Sequence, residues 1–584
     1  MPKHLTLLLF IGLVWGQESY NYSLPVDFPN FTINTSDTSD SSYVFFTSYV
    51  GTSQASDNYL IIMSSYGHPI YFKKVKSKLV TDFKVFDDGF LSYIKTNPNN
   101  FQKKVIIMNS SYEEIDSITT TNYMMDSHES VYLSNGNWIL IGKFNRTLDL
   151  TEYGGYPAAT VTDNIIQEIN SLGDVVFEWN TSEYFSLFDM PHHTINSQFI
   201  DYAHINSIHV DSDTTLVISS RHLDEITKIN RISGEIIWRF GGLNNQFLFI
   251  NDTATHGSLL TPFCHQHDAR ILENGNLTFF DNGNNKNAQY SRMVEYELDE
   301  TNLIATLVWE YIDNADDFCN WMGNAQRLSN NNTIGTWNYK SDSTSIIEVK
   351  EDCTKVFELA FKDSFNIDGN KMGVASYRAF RHNWNGKADR PYLWLDSTNN
   401  FLRLNFVQFG DSDTLKYFIY QGTNTNALQK IDSTQNNYYE ISNFSSDSTQ
   451  YFRVATRVEY DDSQEQEFEE KMSNLVQYQP NYDISIAEPI NSNYNIGIFN
   501  FPNPFNPITT IKYNLPEDAL VNIIIYDILG NIVKNLVYAK ETTGYKSVQW
   551  NATNNQGEPV STGVYLYKIQ AGDFVDAKKM IFLK

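Results

Sequence analysis

His267-Asp268-Ala269-Arg270-Ile271-Leu272-Glu273-Asn274-Gly275-Asn276-Leu277 reads as a strand, an Asn-Gly turn and the start of a second strand. The same order occurs earlier in the chain without a gap, where His128-Glu129 leads into Val131-Tyr132-Leu133-Ser134-Asn135-Gly136-Asn137-Trp138-Ile139-Leu140. Between them lies His204-Ile205-Asn206-Ser207-Ile208, followed by the turn Asp211-Ser212-Asp213 and Leu216-Val217-Ile218. A further copy begins at Gly323-Asn324-Ala325-Gln326-Arg327-Leu328, and a weaker one runs from Asp82 to Tyr93 with its turn at Asp87-Asp88-Gly89. A second motif follows in similar phase and ends each unit in an aromatic strand, as in Gly173 to Trp179, Gly234 to Phe240 and Leu307 to Tyr311.

The repeat opens at His204, again at His267 and again at Gly323. A unit of that length built from several short strands is a propeller blade. About six units fit between residues 40 and 390, so an all-β, six-bladed β-propeller is expected. The strand that opens each blade lines the central channel, which puts the residue opening the repeat near the axis on one rim. His128, His204 and His267 hold that place in three blades and are expected to share a pocket. The alternative is that they cap blade strands.

The 584 residues suggest about four domains. Hydrophobic residues make up 41% of the chain, enough for packed cores, and the aromatic share of 14% favours strands. The net charge of −27 repels phosphate and excludes nucleic acid or an anionic lipid surface as the general partner. Lys3 and His4, an apolar run from Leu5 to Val14, and Gly16 form a secretory signal peptide by pattern. No later stretch is apolar and long enough to span a bilayer, so an exported, soluble protein is expected. The three cysteines, Cys264, Cys319 and Cys353, are too few for a disulfide framework. Cys264 and Cys319 sit at equivalent places in neighbouring blades, either as an inter-blade disulfide or as free thiols. No zinc-type ligand spacing occurs, and no metal or cofactor is expected.

The histidine repeat stops near residue 390, and strands of alternating pattern continue. Ser442-Asn443-Phe444 before Tyr451-Phe452-Arg453-Val454-Ala455 resembles the corner of a fibronectin type III sandwich. Residues 501–584 resemble the C-terminal sorting domain of proteins exported by the type IX secretion system. The resemblance lies in Asn503-Pro504-Phe505-Asn506-Pro507, Ile525-Tyr526-Asp527-Ile528-Leu529-Gly530, Gly563-Val564-Tyr565-Leu566-Tyr567-Lys568 and Lys578-Lys579-Met580. It implies a seven-strand sandwich, recognition by the type IX machinery, and passage across a Gram-negative outer membrane to the surface or medium. The expected order is signal peptide 1–16, linker 17–40, propeller 41–390, fibronectin type III-like sandwich 391–478, linker 479–499 and sorting domain 500–584.

Within the propeller, His204-Ile205-Asn206-Ser207-Ile208, Ser219-Ser220-Arg221, Ile237-Trp238-Arg239-Phe240-Gly241-Gly242, Gln266-His267-Asp268-Ala269-Arg270, Phe280-Asp281-Asn282-Gly283, Ser291-Arg292, Gly323-Asn324-Ala325-Gln326-Arg327-Leu328 and Tyr377-Arg378-Ala379-Phe380-Arg381 follow in one order. That series resembles the arylsulfotransferase family of the type that needs no phosphoadenosine cofactor. The resemblance implies transfer of a sulfuryl group from an aryl sulfate to a phenol through a sulfo-histidine. Neutral imidazole suits this chemistry because it is nucleophilic near pH 7, and the sulfuryl oxygens call for cationic donors fixed in advance.

Carried over residue by residue, His204, His267 and Arg292 take the catalytic positions, with His128, Asn206, Arg221, Arg270 and Asn324 around the substrate. Arg292 alternatively salt-bridges a blade carboxylate. Arg221 and Arg270 alternatively pair with Asp281 or Asp268. As the blades align, the family's attacking histidine falls in the blade reading Trp321-Met322-Gly323-Asn324, which has none. Attack then passes to His267 or His204, or to His265 from a shifted loop. Otherwise the propeller is a non-catalytic surface module for ligand binding or adhesion.

Overall fold

Among the described residues, six mainly antiparallel sheets of four or five strands, and a two-stranded ladder of Ser364–Phe365 with Lys371–Met372, make up the first two thirds of the chain in the computed structural model. The structure describes residues 24–582, leaving out 26, 36–41, 51–55, 87–88, 193–194, 255–260, 287–288, 314–317, 339–343, 362–363, 366–370, 373, 399–400, 411–415, 443–447, 458–470, 479–497, 502–504, 516–518, 529, 543 and 572–573. The signal peptide, most of the second linker, the Asp87-Asp88 turn, Asn443-Phe444 and Asn503-Pro504 therefore lie outside the described residues.

In five of the larger sheets the chain meanders outward from an inner strand that faces the middle of the ring. The inner strands are Leu79–Val85, Met124–Tyr132, Ile205–Ser212, His267–Ile271 and Gln326–Arg327. The sixth inner strand, Ala379–His382, comes from the far end of the propeller and pairs with Tyr43–Val50. Phe31–Thr35 adds an outer strand to the preceding sheet by pairing with Lys355–Phe361. Both ends of the propeller segment thus tie the ring, and each covers an otherwise open sheet edge.

The middle strands are buried on both faces because each sheet is pressed between two others. Thr333–Asn338 and Thr344–Val349 are buried at every position. Apolar residues of one sheet pack against the next: Val217, Ile226 and Phe240 meet Ala269, Leu277 and Phe279. The Asn-Gly hairpins form as the sequence predicts. Gly275 takes φ +85°, a conformation that costs glycine nothing, and its N–H donates to Leu272 O at 2.9 Å.

Beyond residue 390 the chain forms a sandwich. One sheet holds Tyr392–Thr398, Phe401–Val407 and Tyr438–Ser442, and the other is built on Lys416–Gly422 and Gln450–Arg457. Leu404, Phe406, Ile419, Phe452 and Val454 fill its core. Residues 484–584 make a separate compact unit. Its seven described strands form sheets of three and four around Ile511, Ile523, Ile525, Trp550 and Tyr567. No helix among the described residues is long and apolar enough to cross a membrane.

Candidate functional site

The inner strands alternate, and two consecutive residues on or beside each do different work. The pairs are His128 and Glu129, His267 and Asp268, and Tyr377 and Arg378. The charged members find each other. Glu129 accepts from Arg378 at 2.7 Å and Arg270 at 2.6 Å, Asp268 accepts from Arg270 at 2.6 Å, and Lys84 lies 2.7 Å from Glu129. This network ties together the inner strands that carry Lys84, Glu129 and Asp268 and the segment leading into Ala379–His382. Burial pushes the Glu129 carboxyl up, but Arg270, Lys84 and Arg378 outweigh it and hold the group ionised, well below the usual carboxylate range.

Of the aromatic members, His128 and Tyr377 meet. The His128 ring lies 4.8 Å from His204 and 5.6 Å from Tyr377, and His204 lies 4.5 Å from His222. His222 is 6.0 Å from His265, which is 6.3 Å from His192. His267 feels the charges of Arg221, His128 and His204.

Most of these rings are oriented through Nδ1. His128 faces the Asp126 carboxylate, and His204 Nδ1 donates to Asp201 Oδ2 at 2.8 Å. His222 Nδ1 faces the backbone carbonyl of Asp201. His265 Nδ1 lies 3.1 Å from Asp224 Oδ1, whose other oxygen is 3.0 Å from His192 Nε2. His267 Nδ1 lies 2.7 Å from Asn282 Oδ1.

Lys143 reaches both Asp126, at 2.9 Å, and Asp201, at 3.6 Å. Burial raises Asp201, but its hydrogen bond with His204 and the His204 and Lys143 charges hold it ionised. Burial lowers His204 to about 4 despite Asp201, and lowers His222 further. Burial and then the Arg221 charge push His267 well below the ordinary histidine value. These three imidazoles are neutral at pH 7.

Arg221 supplies the positive charge. Eight of the nine arginines from Arg146 to Arg381 have a carboxylate within salt-bridge distance; Arg221 alone, among the described residues, has none. Its guanidinium donates to Asn320 O at 3.0 Å, and burial lowers its pKa. A half-buried guanidinium without a salt-bridge partner is costly unless an anion completes it.

Four expected site residues are not part of this cluster. Arg292 is buried, and its guanidinium is consumed by Asp281 at 2.9 Å, Asp252 at 2.7 Å, Glu310 at 2.8 Å and Pro262 O at 3.0 Å. Arg270 belongs to the buried ion-pair network.

Asn206 is fully buried and donates to Gln266 O at 2.7 Å in the next sheet. Asn324 donates to Ala379 O at 2.7 Å and accepts from Thr336 N at 3.1 Å and Ala379 N at 3.2 Å. Both asparagines are staples between sheets, and the physical reason is the same: each side chain satisfies backbone groups where inner strands converge. Cys264 and Cys319 are buried as thiols.

His222 and Tyr377 join the cluster, though neither is among the site residues carried over from the family. His222 follows Ser219-Ser220-Arg221 on a short 3-10 turn, out of phase with the strand repeat, so periodicity gives no sign of it.

Asp201, His204 and His222 each offer one ligand atom, all within 4.8 Å of one another. Lys143 already neutralises Asp201, and Arg221 acts on the same carboxylate.

The family model described as Arylsulfotransferase (ASST) matches residues 31–373, more than half of the chain. The FlgD Ig-like domain model matches residues 507–573. The arylsulfate sulfotransferase AssT of Escherichia coli O6:H1 (strain CFT073) is 25% identical over 245 residues, 32% of this chain and 40% of its own length. AssT of Lelliottia amnigena is 27% identical over 194 residues, 29% of this chain and 28% of its own. The chain thus spans 40% or less of the curated relatives it matches.

Solved structures similar to this chain include PorZ, a surface component of the type-IX secretion system of Porphyromonas gingivalis. It is 10% identical with a TM-score of 0.26, covering 92% of this chain and 75% of PorZ. A protein of unknown function from Bacteroides caccae is 10% identical with a TM-score of 0.32, covering 58% of this chain and 99% of that protein.

Proposed function

The chain belongs to the arylsulfotransferase family, and from that premise we propose that it moves a sulfuryl group from an aryl sulfate to a phenolic acceptor, with His267 as the attacking group. Two observations carry the reading: His267 is buried with its Nδ1 held 2.7 Å from Asn282 Oδ1, and Arg221, whose charge acts on that ring, is the one arginine between Arg146 and Arg381 left without a carboxylate among the described residues. Arg221 holds the sulfuryl oxygens. The Nε2 lone pair of His267 forms a bond to sulfur as the aryl O–S bond breaks, and a phenolate leaves. An acceptor phenol then gives its proton to Nε2 of His204, whose Nδ1–H is anchored on Asp201. The acceptor oxygen attacks sulfur, and His267 is released with its lone pair. Tyr377 and the surrounding rings provide an aromatic wall for the phenols.

The reading as a non-catalytic binding module draws its support from the missing histidine at residues 321–324. A neutral His267 beside Arg221 weakens that support. The test is release of p-nitrophenol from p-nitrophenyl sulfate. It should depend on added phenol and vanish in His267→Ala. Hydrolysis that ignores phenol, or a His267→Ala rate equal to wild type, would contradict the reading.

We also propose that residues 501–584 direct export by the type IX machinery, on the strength of the motifs quoted above. A chain ending at residue 483 should then be made but not reach the medium or cell surface.

A further inference from the structure

We propose that Asn282 is a positioning residue that sets the tautomer of His267, holding the ring proton on Nδ1 and leaving the lone pair on Nε2. The inference rests on the reading of His267 as the attacking group.

Asn282 is fully buried and follows directly on the strand Leu277–Asp281. Its Nδ2 donates to Cys319 O at 2.8 Å and to Met322 O at 2.9 Å, which uses both amide hydrogens. Oδ1 can therefore only accept, and it sits 2.7 Å from His267 Nδ1. The second neighbour of Nδ1, His265 O at 3.1 Å, is also an acceptor. With two acceptors against it, Nδ1 must carry the proton, and Nε2 keeps its lone pair.

The amide is itself locked. Asn282 O accepts from Ser291 Oγ at 2.8 Å, and Ser291 Oγ accepts from Cys319 N at 2.8 Å. The segment Cys319–Met322, next to the place where the family's histidine falls, thus contributes through its carbonyls.

The other histidines sharpen the point. His128, His204 and His265 each face a carboxylate on Nδ1, namely Asp126, Asp201 and Asp224. His267 faces a neutral amide. A carboxylate there would stabilise the protonated ring and occupy the attacking lone pair with a proton. The amide orients without raising basicity. The charged and titratable groups acting on the ring are Arg221, His128 and His204; Asp268, the next residue, is turned to Arg270 at 3.0 Å.

Histidine-selective 15N labelling reads the tautomer in the intact chain, with His267 assigned from the signal lost in His267→Gln. The wild type should show a protonated Nδ1 and an unprotonated Nε2 at pH 7. Asn282→Asp should move the acid limb of single-turnover sulfation, and the matching 15N titration, up by about one pH unit or more. Asn282→Leu should mix the tautomers and cut kcat on the order of 100-fold or more, with KM for the donor unchanged. A proton on Nε2 in the wild type, or an acid limb and 15N titration that Asn282→Asp leaves in place, would overturn the proposal. The wild-type tautomer needs no substitution, so a variant that fails to fold does not shield the idea. The NMR readout also needs no turnover, so failure of the sulfotransfer reading remains distinguishable from failure of this one.

Discussion

Arg221 and Arg292 show how residue type and residue role separate. Both follow a serine, Arg221 just past the strand Thr215–Ser220 and Arg292 at the start of Arg292–Asp299, and both are at least half-buried. Arg292 is neutralised by Asp281, Asp252 and Glu310, whereas Arg221 meets a backbone carbonyl and no carboxylate at salt-bridge distance among the described residues. Removing each should give opposite signatures. Arg221→Gln should raise KM for the aryl sulfate by about 10- to 100-fold, the worth of a charge-assisted hydrogen bond of about 1.5–3 kcal/mol, with little change in melting. Arg292→Gln leaves the buried Asp252 without its salt bridge, while Asp281 keeps Lys286, and should lower the propeller's melting midpoint, while the folded fraction keeps the wild-type KM. Steady-state kinetics beside calorimetry on the two variants checks this, and the reverse pattern would restore Arg292 as the anion contact. Sequence alone leaves the two arginines alike, because Asp252 and Glu310 sit on other segments and nothing in the repeat marks them as partners.

The inner strands are the most legible elements. Their phase puts His128, His204 and His267 towards one rim, because the repeat fixes which residue of each strand meets the axis. The repeat misleads for Asn206 and Asn324, which lie beside its opening positions but spend their amides on neighbouring backbone. It passes over His222, which sits on a turn.

The inner strands and their neighbours also predict an acid sensitivity. Burial lowers His204, His209 and His382 to about 4, from about 6.5 in an unfolded chain. Above about pH 6.5 these groups are neutral in both states and contribute nothing to pH dependence. As pH falls from about 6.5 to 4, the unfolded chain takes protons that the fold refuses, so stability is lost across that window. Below it, the ionised Asp126, Asp201 and Asp224 begin to lose their contribution too, since their folded values lie under the ordinary one. The melting midpoint should fall by several degrees between pH 7 and 4.5; a flat profile would contradict the burial of these rings.

At the scale of the molecule, the ring depends on a strand from its far end. The family match stops at residue 373, yet Ala379–His382 pairs with Tyr43–Val50, and Tyr377 and Arg378 reach the centre just before it. A chain ending at residue 373 should lose both the cooperative unfolding transition and phenol-dependent turnover. A chain ending at residue 483 should keep both, because residues 484–584 form their own unit. The all-β class, the succession of sheets and the modular tail are readable from strand spacing and turn chemistry. The closing pair is not, since strands at opposite ends of the propeller leave no local mark of their pairing.

In the proposed reaction His267 takes the sulfuryl group. Its most direct measurement is rapid acid-free quenching of the protein with p-nitrophenyl sulfate in the absence of acceptor, followed by peptide mass spectrometry under neutral conditions. A mass increase of one SO3 group on His267, discharged by a chase of phenol, is expected. An unmodified His267 during turnover, or the group found on another residue, would contradict it.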